Sequence, residues 1–109
     1  MTETEFNLTA GAVLQRLEAA LESSVVDCDC EWKGDGVLEV EFEDGARMVI
    51  NRHGVAREIW VAARAGGFHF RPDPGQAGRW VDTRDGTELF AAVSRLVSQQ
   101  TGQAVILSA

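Results

Sequence analysis

Apolar residues recur at steps of three and four from Phe6 through Ala10, Val13, Leu14, Leu17 and Leu21, which predicts an amphipathic helix over residues 4–22. From Asp27 the period drops to two. Cys28, Cys30 and Trp32 alternate with Asp27, Asp29 and Glu31, so the first strand is expected to send its thiols and indole into the core and three carboxylates to water. A second strand, Val37 to Phe42, buries Leu38, Val40 and Phe42 and exposes Glu39 and Glu41. The turn that follows has a preferred length. A two-residue Asp44-Gly45 loop would put Glu41 beside Met48, a charge beside a core residue. A three-residue loop, Glu43-Asp44-Gly45 with Gly45 left-handed, pairs Phe42 with Ala46, Val40 with Met48 and Leu38 with Ile50, and sets Glu41 against Arg47. The three-residue loop is therefore predicted.

Residues 57–64 form a fourth strand with Ile59, Val61 and Ala63 inward and Glu58, Trp60 and Ala62 outward. Gly66-Gly67 is expected to turn the chain into a fifth strand, Phe68-His69-Phe70, with His69 outward and His53 left in a loop. After the loop 72–78, a short sixth strand covers Arg79 to Asp82. A second helix is expected from about Thr87 to Gln100, opened by Asp85 with Glu88 three later and stopped at Gly102. The apolar tail Ala104-Val105-Ile106-Leu107 should pack back onto the fold. Alternating strands imply a mainly antiparallel sheet with one wet face. Two helices with one apolar stripe each can cover the other. The expected class is α+β: a two-layer sandwich, two helices on one face of a five- to six-stranded sheet.

The chain has 109 residues, enough for one domain, and a net charge of −7. The charge is uneven: residues 1–43 hold eleven acids and two bases, whereas residues 44–109 hold six acids and eight arginines. An acidic first third repels phosphate backbones, which argues against nucleic acid, and suits cations or an arginine-rich protein surface. No run of about eighteen apolar residues exists to span a membrane. The acidic N-terminus lacks the basic and apolar regions of a signal peptide, so a cytoplasmic protein is expected. Cys28 and Cys30 lack the C-x-x-C spacing of redox and zinc sites, and at two residues apart on a strand they are badly placed for a disulfide. Nucleophile–base pairs and phosphate loops are absent, so a binding module is favoured over an enzyme.

Several strings carry a family resemblance. Residues 57–70, REIWVAARAGGFHF, resemble the most recognisable stretch of bacterial frataxins. Residues 80–90, WVDTRDGTELF, resemble that family's entry into its second helix, and Gln99-Gln100-Thr101-Gly102 its close. Phe42-Glu43-Asp44-Gly45 with Met48-Val49-Ile50-Asn51-Arg52 is similar to its hairpin. The resemblance covers essentially the whole chain. It implies an iron-binding acidic ridge, carried over by position to Glu18, Glu22, Asp27, Asp29 and Glu31. It also implies docking of that ridge on a cysteine desulfurase, with Asn51 and Trp60 on the outer sheet face turned toward the desulfurase–scaffold complex. The expected role is that of an iron-dependent regulator or iron donor in iron–sulfur cluster assembly, monomeric, with iron-dependent oligomers as a further state. The alternatives are a metal-independent acidic adaptor and weak ferroxidase activity at the ridge. The chain departs from the family pattern at Ser23-Ser24-Val25-Val26, an uncharged link where many relatives carry acids.

Carboxylates are hard donors suited to iron. Side chains two apart on a strand lie about 7 Å from each other, too far for one small cage. Weak, exposed and partly water-filled coordination is therefore expected, with cation binding relieving mutual repulsion. His69 is read as a solvated strand residue.

Overall fold

The computed structural model describes residues 1–108. The elements run α1 (Glu3–Glu22), β1 (Cys28–Trp32), β2 (Val37–Phe42), β3 (Arg47–His53), β4 (Glu58–Ala63), β5 (Gly66–Pro72), β6 (Trp80–Asp82) and α2 (Leu89–Thr101). The strands form one antiparallel meander in the order β1-β2-β3-β4-β5-β6. Both helices contribute their apolar stripes to one core, and the other sheet face is open.

Helix α1 starts at a capping box: the Thr2 hydroxyl accepts from the Glu5 amide and the Glu5 carboxylate accepts from the Thr2 amide. This satisfies two donors that a helix start leaves unpaired. Its buried stripe is Phe6, Ala10, Val13, Leu14, Leu17 and Leu21, the set the periodicity picks out. The β2–β3 hairpin has the predicted register, with Val40 opposite Met48, Leu38 opposite Ile50 and Glu41 opposite Arg47. Gly45 sits at φ 86°, and the Phe42 amide donates to the Ala46 carbonyl at 2.8 Å.

Four expectations are corrected. First, the β4–β5 connection is Arg64-Ala65, and both glycines lie inside β5, Gly66 opposite Ala63 and Gly67 opposite Ala62. This register places Phe68 opposite Val61 and Phe70 opposite Ile59 on the inner face, and packing outweighs the local glycine signal. Second, α2 begins at Leu89. Glu88 is its N-cap, accepting from the amides of Phe90 and Ala91, while Asp85 instead holds the Thr87 amide. Thr87 and Glu88 are kept extended by pairing with β6. Third, Trp32 is 37% exposed and Cys28 and Cys30 are half-buried, because β1 is the edge strand and the helical layer covers it incompletely. Fourth, His53 ends β3 instead of lying in a loop.

The tail packs as expected: Val105 and Leu107 are buried while Ile106 points to solvent. Two serines of α2 tie it down. The Ser98 hydroxyl accepts from the Val105 amide at 2.9 Å, and the buried Ser94 hydroxyl accepts from the Leu107 amide at 2.8 Å.

Candidate functional site: an acidic sheet edge and an aromatic stack

The β1–β2 register aligns Asp29 with Glu41 and Glu31 with Glu39. Strand parity puts all four carboxylates on the open face, as two like-charge cross-strand pairs. The patch is only partly neutralised. Arg47 lies 3.6 Å from Glu39 and 3.7 Å from Glu41, and Lys33 lies 3.2 Å from Glu31. Among the described residues, Asp27 and Asp29 make no ion pair.

The five carboxylates expected to form the ridge are strung along the β1 edge and do not converge. Glu18 accepts a 3.0 Å hydrogen bond from the Trp32 indole at one end of β1. Glu22 closes α1 and Asp27 precedes β1 at the other end. Asp29 and Glu31 point to the open face. Among the described residues, no group of three or more His, Cys, Asp or Glu side chains is close enough to hold one ion. The donor set is hard oxygen and suits iron chemically, with water completing any coordination shell. Glu39 and Glu41 enlarge the patch although parity alone had marked them only as outward. The β1–β2 register, set by the Gly34 and Gly36 turn, is what brings them beside Asp29 and Glu31.

Asp27 also borders a cleft of about 650 Å³ at the end of the sandwich, lined by Val25, Val26, Phe42, Glu43 and Gln100 among others. Behind the edge, burial pushes the Cys30 thiol up to about 12, with Cys28 and Glu22 adding negative charge. Burial also raises Cys28, with further rises from Asp29, Asp27 and Glu22 and a partial offset from its hydrogen bond with Cys30.

The second feature lies on β3, β4 and β5. Trp60 is on the open face, opposite Asn51 and His69. It is half-buried because two imidazoles sandwich it: His53 at 3.8 Å between ring centroids and His69 at 4.4 Å, both nearly parallel. The indole N–H donates to Glu58 at 2.8 Å, and the same carboxylate oxygen lies 3.7 Å from His69 Nδ1. Asn51 donates to the neighbouring Arg52 carbonyl at 3.3 Å. Sequence reasoning marked Trp60 and His69 as outward separately. The pairing of β4 with its two neighbours is the signal that unites them with His53.

Comparison with known proteins gives a consistent pattern. A family model described as a frataxin-like domain matches residues 1–103. The chain is 51% identical over 107 residues to the iron-sulfur cluster assembly protein CyaY of Dechloromonas aromatica, covering 98% of this chain and 99% of that one. It is 49% identical over 110 residues to the CyaY of Cupriavidus pinatubonensis, covering 98% and 96%. Among solved structures, the frataxin of Psychromonas ingrahamii superposes with a TM-score of 0.87 at 28% identity over 100% of both chains. A trimeric frataxin of Saccharomyces cerevisiae, complexed with ferrous iron, superposes with a TM-score of 0.63 at 25% identity, covering 94% of this chain and 88% of that one.

Proposed function

Because the chain belongs to the frataxin-like family, we propose that it binds iron weakly along the β1 edge and acts in iron–sulfur cluster assembly as an iron-dependent regulator of a cysteine desulfurase. The observation that carries this reading is the concentration of carboxylates on α1, β1 and β2, where among the described residues Lys33 and Arg47 are the only cations paired with the β1 and β2 carboxylates. The similarity to iron-sulfur cluster assembly proteins supports this pathway, and the ferrous iron in the yeast frataxin agrees with the hard-oxygen donor set. The protein works as a binding module. The acidic edge docks on an arginine-rich surface of the desulfurase, where complementary charge speeds encounter and fixes orientation. The Trp60 stack with Asn51 faces the desulfurase–scaffold complex, since a half-buried indole held flat offers contact area at little entropic cost. Iron spread over carboxylates that also form the docking face changes the charge the desulfurase meets. Regulation by iron follows from that overlap, and it favours a regulator over a donor.

The test is paired. Ferrous iron titrated under anaerobic conditions should shift backbone NMR resonances of residues 18–31 and of β2. Replacing Asp27, Asp29 and Glu31 with lysine should abolish both those shifts and capture of the desulfurase. An unchanged spectrum at millimolar iron removes the iron reading, and unchanged capture by the triple variant removes the edge from the interface.

A further inference from the structure

We propose that Cys28 and Cys30 form a two-thiolate site for a soft monovalent cation, copper(I), on the α1-facing side of β1, separate from the carboxylate edge. Residues two apart on a strand point the same way, so both thiols face α1. Both are free and half-buried, packed against the rim of the core, with Cys28 Sγ 4.0 Å from the Leu21 carbonyl oxygen. A repeat of about 6.5–7 Å along the strand is at the limit of what an S–S bond of about 2.05 Å can close. Two metal–sulfur bonds of about 2.3 Å laid end to end span about 4.6 Å, which suits side chains leaning toward each other from those positions.

The coordination number fits as well. A linear pair of sulfurs satisfies copper(I) without further ligands, and the two thiols stand without a third side chain converging on them among the described residues. Thiolates select soft ions such as copper(I), whereas the carboxylates of the edge prefer hard ones, so the two sites sort metals by chemistry although they share a strand. An entry route exists. It leads to Cys28 and not directly to Cys30: Cys28 lines an open cleft of about 270 Å³ with Asp27, Asp29, Glu41 and Glu43 around it, a negative mouth that concentrates cations. On binding, each S–H bond breaks as an S–Cu bond forms, and two protons leave to solvent. Copper stays in the +1 state, so no electron is transferred and no oxidant is needed, and the filled site carries one net negative charge.

Anaerobic titration of the full chain with copper(I), in competition with the chelator bathocuproine disulfonate, tests this. The expected result is one copper per monomeric chain, with an X-ray absorption spectrum showing two sulfur neighbours. Cys28→Ser and Cys30→Ser should each weaken retention at least a hundredfold, while Asp27→Asn should weaken it less than tenfold and keep the sulfur signature. Circular dichroism confirms that the variants fold, and the wild-type spectrum decides the matter should one of them fail. One copper shared by two chains, undiminished retention in the double serine variant, or complete loss of wild-type copper to the competitor would overturn the proposal. Iron titration of the same variants reads the carboxylate edge independently.

Discussion

Asp29→Asn is expected to make the protein more stable and a poorer iron binder at once. Asp29 faces Glu41 across the β1–β2 ladder, and among the described residues no cation pairs with it. Directly opposed side chains stand about 5 Å apart at Cβ, and a like-charge pair there costs about 0.2–1 kcal/mol. Coulomb's law in water gives about 0.8 kcal/mol at that separation, so the two routes agree. Arg47, 3.7 Å from Glu41, already offsets part of the repulsion and holds the gain toward the lower end. Asparagine is nearly isosteric and shares aspartate's poor strand propensity, so charge is the variable that changes. An unfolding entropy of about 2.1 cal/mol/K per residue over 109 residues converts 1 kcal/mol to about 4 °C. Melting at low ionic strength should therefore rise by about 1–4 °C. The rise should shrink toward zero at 1 M salt, where the screening length is about 3 Å. Ferrous iron should raise the wild-type melting temperature more than that of the variant, since binding stabilises the folded state by mass action. A variant that melts lower than wild type at low salt, or a gain indifferent to salt, refutes the reasoning.

Trp60→Leu removes two stacked pairs worth about 0.5–1.5 kcal/mol each, so denaturant melts should show a loss of about 1–3 kcal/mol together with weaker desulfurase capture. Ser94→Ala strands the Leu107 amide in a buried position, at a cost of about 1–3 kcal/mol, and hydrogen exchange at that amide should accelerate. The Gly75 amide and then the Arg79 guanidinium hold the Asp73 carboxyl below its ordinary value of 3.8. A carboxyl lowered in the folded state stabilises above that ordinary value and stops doing so as pH falls through its folded one. Asp73→Asn should thus melt below wild type at pH 7, and the gap should narrow as pH falls below 3.8. A gap that keeps its size as pH falls would contradict this.

The β2–β3 hairpin was readable to the residue because only one loop length buries Leu38 and Val40 with Met48 and Ile50. The α1 stripe was readable for the same reason: a wrong phase would expose Leu14 and Leu17. Periodicity tells which way a side chain points but not how much of the other layer reaches over it. Parity alone therefore assigns Trp32 to the core, although its edge position leaves it partly in water and free to bind Glu18. The Gly66-Gly67 turn failed differently. Glycine marks where φ can be positive, and Gly66 does adopt 139°, but at the first residue of a strand instead of a loop tip. The carboxylates of the candidate site were all visible as outward residues. Their separation into a helix flank, a strand start and an open face depends on three-dimensional placement that no spacing rule encodes. The His53–Trp60–His69 sandwich joins three consecutive strands, and only the assembled register, with His53 diagonal to Trp60, shows it.

The two rims of the sheet are protected from self-pairing in different ways. At β6 the strand is three residues long and buried, and Glu88 already bridges to Val81. At β1 the five-residue backbone has strand β2 on one side only, and its guard is electrostatic repulsion between copies. Whatever neutralises Asp27, Asp29 and Glu31 also removes that guard. Copies held apart by these charges and copies free to add strand to strand once cations cover them would thus be opposite consequences of one set of carboxylates.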